Sequence, residues 1–383
     1  MKTNKNEEIT VVYICHDLGM GGAALSLVNL IKSVSLNIKA IVLMRKRTVL
    51  TERFIEIGCD VLIYNYSLDI ANRNPFFRFL VFPVRYIRDY CINRRCISWV
   101  SKQLEGKKID IVHTNSSVVS FGVDLAKTLH AKHIWHIREF MDLDFNMKPL
   151  LSFKSLKKDI MHADAVIAIT HPIFEKWELG NHVKSYVIPD AVRSVSDSVY
   201  FADKEKYVLF CSARLSDNKG ADSAADIFCR SHICDRGYHL YYIGKYNEDY
   251  KEKLLDIARE YGQEDYFVFL GYQSDIRKFM VKASAFMMCS KFEGLGRVTI
   301  EAMFYGCPVL GHNTGGTKEV IAHDITGLLY NTADEAVVML RKLIDDKAQA
   351  DRLTKNAADE AKLRFSEEEY GKRIMDIYRQ VLK

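Results

Sequence analysis

Short apolar segments alternate with longer segments of helical periodicity along the chain, and this alternation constrains the fold more than any other feature. The apolar segments are rich in Val, Ile and Tyr, which favour buried strands. In the first half we predict strands at Ile9–Cys15, Ile38–Met44, Asp60–Tyr64, Ile109–His113, His133–Ile137 and Ala165–Ile169. Strands that alternate with helices predict a parallel sheet with helices on both of its faces.

The alternation restarts after a polar segment at residues 193–206, which we interpret as a linker between two domains. Further strands are predicted at Tyr207–Ser212, His239–Ile243, Phe267–Leu270, Ala285–Cys289 and Pro308–Leu310. The predicted fold class is α/β, with two Rossmann-like, doubly wound domains at residues 1–195 and 196–365 that face each other across a cleft. Residues 366–383 begin with Ser and three Glu and carry apolar side chains at helical spacing, so they predict a capped helix that packs back on the first domain.

The composition is that of an ordinary globular protein. Hydrophobic residues make up 48% and charged residues 27% of the 383, so a sizeable core can form. None of the nine cysteines forms a CxxC pair, which favours a reducing compartment over disulfides or a metal. The first ten residues are polar, and Arg78 and Arg85 interrupt the best apolar stretch, so we expect a cytoplasmic protein that meets a membrane only at its surface. Zinc-finger spacing, RNP-like motifs and Arg-rich helices are missing from the sequence, so no nucleic-acid partner is expected.

The most specific motif extends from Ser290 to Leu328. A predicted strand ends at Cys289, a glycine-containing loop follows, and a helix then runs through Thr299. Glycine lets the backbone approach a ligand closely, and the first N–H groups of a helix carry a partial positive charge. Glu293 in the loop and Glu301 about one turn inside the helix frame this site, and a carboxylate that faces a diol is a good bidentate acceptor. The motif therefore predicts a site for a diphosphate or for sugar hydroxyls.

This Glu-x7-Glu element, with its EGLGRVTIEAM setting and a GGT-x-E segment downstream, resembles the donor site of family 4 glycosyltransferases, which are retaining, metal-independent enzymes of GT-B fold. The resemblance is close over the second half of the chain and looser over the first. It implies that Glu293 contacts the transferred sugar and Glu301 the ribose of the donor. The other implied donor-binding residues of this half are Gly294, Leu295, Gly296, Arg297 and Val298 in the loop and helix, and Tyr272 near the base.

A second element, Cys211–Gly220, follows the first strand of the second domain and carries Arg214 and Lys219. Two cations at one strand end can grip two phosphates from different directions. The resemblance implies that they stabilise the negative charge on the departing nucleoside diphosphate. In other enzymes a metal ion provides this stabilisation. We therefore expect neither a metal nor any other cofactor.

The first half offers a glycine loop between its first strand and first helix, at Gly19, Gly21 and Gly22. The resemblance places Gly21 and Gly22 near the donor phosphates. The same glycines fit the dinucleotide-binding pattern G-x-G-x-x-A, so an oxidoreductase is an alternative. That alternative needs an acidic residue after the second strand for NAD, whereas residues 45–47 are basic, and it leaves the second half unexplained.

His136 ends a predicted strand and matches the family's histidine beside the transferred sugar, with a structural histidine as the alternative. Arg138 and Glu139 follow it, and we predict that they contact the acceptor or the donor. Asp190 and Ala191 occupy the positions where the family usually has Asn-Gly, so the turn that the family forms there is not predicted for this chain. The predicted catalytic residues are His136, Arg214, Lys219 and Glu293.

The basic residues are concentrated in the first half, where residues 1–200 hold 27 Lys and Arg against 20 Asp and Glu. Residues 73–108 carry nine basic and two acidic side chains, interleaved with aromatic ones. Two interpretations remain open: an interfacial helix pair that contacts anionic lipid, or an ordinary helix with extended arginines.

We expect a retaining transferase that moves a sugar from a UDP- or GDP-linked donor to a glycan or lipid-linked saccharide, in surface polysaccharide synthesis. A nucleotide-sugar epimerase or hydrolase of the same fold and a non-enzymatic nucleotide-sugar sensor are the alternatives. An epimerase or hydrolase would need no acceptor surface, and a sensor would need none of the charged donor residues for turnover.

Overall fold

The computed structural model describes residues 8–16, 19, 21–71, 75–182, 184–200 and 203–383, with the backbone alone for residues 75–81. The chain divides into two compact units, residues 1–191 with 367–383 and residues 192–366. We call them unit 1 and unit 2. The first boundary lies before the predicted linker, because the N–H of Val192 donates to the carbonyl of Phe365, 2.9 Å away, inside unit 2.

Unit 1 is built on a parallel sheet. Its strands are β1 Ile9–Cys15, β2 Ile38–Met44, β3 Asp60–Ile63, β4 Ile111–Thr114, β5 Lys132–Ile137, β6 Ala165–Ala168 and β7 Ser185–Val187. Its helices are α1 Gly22–Val34, α2 Val49–Glu56, α3 Pro75–Gln103, α4 Gly122–Thr128, α5 Asp142–Phe145, α6 Phe153–Ile160 and α7 His171–Lys176. The strand order is β3-β2-β1-β4-β5-β6-β7, so the chain reverses direction across the sheet at β1 and β4, where such sheets bind ligands.

Unit 2 repeats this architecture. Its strands are β8 Glu205–Arg214, β9 His239–Lys245, β10 Phe267–Phe269, β11 Ala283–Met288, β12 Val309–His312 and β13 Leu328–Tyr330. Its helices are α8 Ala221–Ser231, α9 Glu248–Arg259, α10 Arg277–Met280, α11 Arg297–Phe304, α12 Thr317–Val320, α13 Ala333–Asp345 and α14 Lys347–Phe365. The strands pair in parallel in the order β10-β9-β8-β11-β12-β13, which again places a switch point between β8 and β11.

The last helix, α15 Glu367–Leu382, belongs to unit 1 and packs against α1. Tyr370, Ile374 and Tyr378 are fully buried in the core that β1, β2 and α1 also form. Side chains of this kind each contribute about 1.5–3 kcal/mol when they are buried. A Cβ at Gly371 would lie 2.4 Å from the carbonyl oxygen of Ser33, so the two helices touch there through their backbones.

The predicted fold class is confirmed, since both units have the parallel α/β architecture. β13 was not predicted, because its three residues are too few to display a strand pattern. Ser366, the predicted first cap of the last helix, has the extended backbone that such a cap requires. The arrangement of the two units across a cleft stays a prediction.

Candidate functional site

The centre of the candidate site in unit 2 is the loop that joins β11 to α11. Gly296 precedes the helix with a φ of +80°, a conformation that favours glycine, and it turns the chain directly into the helix. Leu295 is buried and anchors the loop in the core. Gly294, Arg297 and Val298 are partly exposed around it. The loop therefore presents backbone and the amino end of α11 at the carboxyl edge of the sheet.

Lys219 and Glu293 lie together at this loop although 74 residues separate them. The Nζ atom of Lys219 is 2.7 Å from Oε1 of Glu293. The hydroxyl of Ser290 donates to the same carboxylate oxygen, also at 2.7 Å. The two predicted catalytic charges thus form one cluster, and the carboxylate is held by two donors before any ligand is bound.

A short turn places Lys219 at the end of β11. Residues Asp217–Lys219 form a single 3₁₀ turn that ends at Gly220, whose φ is +75°. A Cβ at Gly220 would lie 2.0 Å from the carbonyl oxygen of Cys289, so only glycine fits against the strand. The N–H of Lys291 donates to the carbonyl of Asn218 at 3.2 Å and ties the turn to the loop.

The GGT-x-E segment supports the same loop from the other side. The N–H of Gly316 donates to the carbonyl of Glu293 at 2.8 Å. A Cβ at Gly316 would lie 2.3 Å from the carbonyl oxygen of Gly294, and one at Gly315 would lie 2.7 Å from that of Glu293. These glycines are therefore needed for close backbone packing under the loop.

Glu301, on α11, is paired with Arg193, a residue that the sequence placed in the linker. The Nη2 atom of Arg193 is 2.7 Å from Oε1 of Glu301, and the carboxylate side chain is 12% exposed. Burial raises the pKa of the Glu301 carboxyl, and the guanidinium groups of Arg193 and Arg297 oppose that rise. Sequence reasoning missed Arg193, since its position between two domains carries no motif.

Arg214 and Tyr272 lie at the exposed margin of the strand ends. Arg214 is the last residue of β8 and its side chain is exposed. Tyr272 is 60% exposed, and Nζ of Lys245 lies 5.5 Å from the centre of its ring. The N–H of Gly244 donates to the carbonyl of Gly271 at 2.9 Å, which fixes the turn below this pair. An aromatic ring beside cationic side chains suits the base and phosphates of a nucleotide.

In unit 1, Gly21 caps α1 with an extended backbone and Gly22 begins the helix, and both are exposed. His136 lies on β5 and is fully buried. Arg138 donates from Nη2 to His136 Nδ1 at 3.3 Å, so the imidazole proton is on Nε2. Within the part of the chain that the structure describes, this Nε2 atom makes no hydrogen bond, and Oδ1 of Asp190 lies 3.8 Å from it.

The network around His136 reaches the C-terminal helix. Its Nδ1 lies 3.3 Å from Nε2 of His113, whose Nδ1 is 2.8 Å from the hydroxyl of Tyr378. On the other side, Arg138 forms a buried ion pair with Asp190, which also accepts from Tyr370 at 3.3 Å. Burial, with the charge of Arg138 beside it, holds the pKa of His136 well below its ordinary value, so the imidazole is neutral at pH 7. Asp190, at the position where the family usually has Asn, was missed as part of this cluster.

Glu139, one of the two predicted acceptor contacts, has internal partners. Its Oε1 accepts from the hydroxyl of Ser116 and from the backbone N–H and hydroxyl of Ser117, the last two at 2.7 Å. Arg138 likewise donates from Nε to Asn115 at 2.9 Å. Their contact with an acceptor stays a prediction, and the internal partners favour a supporting role.

No group of three or more His, Cys, Asp or Glu residues that the structure describes is placed to hold a metal ion. Among the described helices, none is both long and apolar enough to cross a membrane.

The family model described as "Glycosyl transferases group 1" matches residues 193–360, nearly all of unit 2. Putative glycosyltransferase YtcC of Bacillus subtilis is 27% identical over 229 residues, which cover 56% of this chain. The chain spans about half of that relative's length, 55%. N-acetyl-alpha-D-glucosaminyl L-malate synthase of Bacillus anthracis is 24% identical over 77% of this chain and 74% of its own.

Among solved structures, Anabaena HepE in complex with UDP and glucose superposes with a TM-score of 0.77 at 17% identity. The superposition covers 97% of this chain and 100% of HepE. This likeness is one of fold.

Proposed function

Because this chain belongs, through its second unit, to the group 1 glycosyltransferases, we propose that it transfers a sugar from a nucleoside-diphosphate sugar to a saccharide acceptor with retention of anomeric configuration. The observation that carries the proposal is the cluster of Lys219, Glu293 and Ser290 at the amino end of α11. A cation, a carboxylate and a helix end meet there, as a sugar linked to a diphosphate requires.

In the proposed reaction the bond between the anomeric carbon and the diphosphate oxygen breaks, the acceptor oxygen bonds to the same face of the carbon, and the proton of the acceptor hydroxyl passes to the departing diphosphate oxygen. Arg214, Lys219 and the amino end of α11 stabilise the negative charge on the departing diphosphate. Glu293 orients the sugar while positive charge grows at its anomeric carbon. Glu301 accepts hydrogen bonds from the ribose, and the ring of Tyr272 contacts the base. These cations take the role of a metal, so we propose metal-independent catalysis.

His136 is proposed to donate from Nε2–H to a sugar hydroxyl. A buried N–H without a partner costs about 1–3 kcal/mol, and such groups in native proteins often mark functional positions. Arg138 fixes the tautomer that carries this proton, which supports the assignment. Gly21 and Gly22 are proposed to approach the donor phosphates through their backbone.

The donor and the stereochemistry are tested together. UDP, GDP and their sugars are screened for stabilisation of the protein, because a bound ligand raises the melting temperature by mass action. The labelled donor that binds is then incubated with saccharide acceptors, and NMR of the product reports its anomeric configuration. HepE was solved with UDP, so UDP sugars come first. An inverted product would refute retention, and loss of all activity in a chelator would refute metal independence.

For the acceptor we propose a lipid-linked saccharide at an anionic membrane surface, in the synthesis of a surface polysaccharide. The support is α3, where the apolar side chains of Val84, Ile87 and Tyr90 are exposed at three-residue spacing. Arg94 and Arg95 are exposed one turn later. Residues 73 and 74, and the side chains of residues 75–81 at the start of the predicted membrane stretch, lie outside the described residues.

Vesicle binding tests this surface. Arg85 is unsuitable for substitution, because it donates to the carbonyl of Ile70 and pairs with Asp89. The variant Arg94→Glu/Arg95→Glu should lose binding to anionic vesicles at low salt, each basic residue contributing about 1 kcal/mol. The control Lys342→Glu/Lys355→Glu makes the same change of charge at exposed positions of unit 2 and should bind normally.

If wild-type protein does not bind such vesicles, a soluble acceptor replaces the lipid-linked one. The Bacillus anthracis relative, which is named as a glucosaminyl malate synthase, illustrates that alternative. Donor affinity should be the same in all these variants, because none of the changes lies in the donor site.

A further inference from the structure

We infer that Arg193 is a positioning residue for the carboxylate of Glu301, and that it links donor binding to the segment where the chain passes between its two units. The inference rests on the proposed function, since it takes Glu301 as the ribose contact. Arg193 lies in no sequence motif, and its contacts and its place in the chain indicate the role.

The first step is the burial of the carboxylate. The Glu301 side chain is 12% exposed and its Oε1 lies 2.7 Å from Nη2 of Arg193. A buried carboxylate is stable only when a cation or several donors face it. Arg193 meets this need at Oε1 and so orients the carboxylate toward its proposed ribose ligand.

The second step is the fixation of Arg193 itself. Its guanidinium lies over the ring of Tyr305, 5.7 Å from the ring centre. Arg277 lies 5.7 Å from the same ring centre. Within the described residues, the ion pair to Glu301 is made by Arg193 and not by Arg277. The chain thus contains two arginines in like contact with one ring, and only one of them reaches the carboxylate.

The third step is the place of Arg193 in the chain. Unit 2 begins at Val192 and ends at Ser366. The backbone of Arg193 pairs in parallel with that of Ser366, and the N–H of Val192 donates to Phe365. The chain connects the two units twice, and both connections therefore lie next to Arg193, which pairs with the proposed ribose-binding carboxylate of Glu301. We therefore expect a ligand that binds Glu301 to affect the two connections through the side chain of Arg193.

A pH signature follows from the charges around Glu301. Ribose hydroxyls donate stronger hydrogen bonds to the ionised carboxylate than to the protonated carboxyl, so donor affinity should fall as the pH drops through the pKa of Glu301. Burial raises this pKa, and Arg193 and Arg297 lower it. The groups that face Glu301 or Arg193 are Arg193, Arg297, Tyr305, Cys211 and Asp197. Of these, Arg193 is in direct contact, so its removal should move the loss of affinity to a higher pH.

The test compares Arg193→Met with the matched control Arg277→Met. Calorimetry measures the Kd of UDP, GDP and ADP for each protein between pH 5 and 8. Arg193→Met should bind about tenfold more weakly at pH 7, the loss of one charge-assisted hydrogen bond, and its affinity should fall off at a higher pH than that of the wild type. Arg277→Met should match the wild type at every pH. Arg193→Lys should restore most of the pH profile, because it keeps the charge.

The outcomes separate the inference from the function on which it rests. If wild-type protein binds none of the three nucleotides, the proposed donor site is wrong. If it binds one, and Arg193→Met and Arg277→Met have the same Kd and the same pH profile, the positioning role is refuted. Should Arg193→Met not fold, Arg193→Lys and Glu301→Gln replace it, and the affinity of Glu301→Gln should vary with pH only as the terminal phosphate of the nucleotide titrates, at about pH 6.

Hydrogen exchange tests the link to the junction in the wild-type protein. Saturating nucleotide should slow exchange of the amides at residues 192–194 and 365–367, and Arg193→Met should lose this protection while it still binds nucleotide at higher concentration. Unchanged exchange at these amides in saturated wild type would refute the link.

Discussion

Replacement of Gly316 by alanine should damage the donor site although it replaces none of the predicted donor-binding residues. The backbone φ of Gly316 is −72°, which any residue adopts, so the substitution introduces no backbone strain. The new Cβ, however, would lie 2.3 Å from the carbonyl oxygen of Gly294 and 2.9 Å from Cα of Leu295. Both contacts are with backbone, which cannot rotate away as a side chain can.

The structure gives the size of the effect. Ordinary contact begins near 3.4 Å, so the segment at Gly294 must move by about 1 Å. A displacement of about 1 Å in a catalytic group can cost about 100-fold in rate, and overpacking of this kind costs about 1–3 kcal/mol of stability. Because the moved segment contains Glu293 and its contact with Lys219, we expect turnover to fall more than nucleotide affinity.

The assay is a steady-state rate with the donor and acceptor found by the screen, together with a thermal melt. Gly180→Ala is the control, because its Cβ would meet only a phenylalanine ring carbon at 3.7 Å and its φ is not positive. A Gly316→Ala protein with wild-type rate and melting temperature would refute the packing argument.

Three further predictions concern charge. Lys219→Met and Arg214→Met should each lower turnover about 100-fold or more with little change in the melt, since the departing diphosphate loses a cation; near-normal rates in both would contradict the assignment. Glu293→Gln should lower turnover more than it weakens nucleotide binding, and an equal loss in both would place Glu293 in ground-state binding alone. Burial lowers the pKa of His133 to about 3. Between pH 6.5 and 3 the unfolded chain therefore binds a proton that the folded chain does not. As the pH is lowered through this window, the free energy of unfolding should fall by about 1.4 kcal/mol per pH unit. Urea unfolding at pH 7 and 5 should give a smaller fall for His133→Gln than for wild type, and equal falls would contradict this prediction.

The sequence predicted those parts of the molecule whose characteristic residues all lie within one short segment of the chain. β1 and β2 have the predicted bounds, because apolar β-branched runs mark buried parallel strands. The loop before α11 was predicted because its glycines and glutamates are close in the chain. The contact of Lys219 with Glu293 was not predicted, because it depends on how the turn after β8 packs against the end of β11.

Arg193 and Asp190 illustrate what local patterns cannot supply. Arg193 lies in a polar stretch that looks like a linker, and its partner Glu301 is 108 residues further on. Asp190 looks like a departure from a turn motif, yet it balances the buried charge of Arg138. In both cases the role comes from a charge that meets its counterpart only in the folded chain. Buried charges need such partners, but a single sequence does not say which residue provides them.

The position of α15 has a consequence for the order of events during synthesis. The core of unit 1 includes Tyr370, Ile374 and Tyr378, and the whole of unit 2 is translated between β7 and these residues. A nascent chain thus exposes the α1 surface, near Ser33, until α15 has emerged from the ribosome. Domains that are contiguous can fold as they emerge, but unit 1 cannot be completed before unit 2 has been made. We expect unit 2 to become resistant to protease first on a stalled nascent chain, with unit 1 protected only after the last helix has left the exit tunnel.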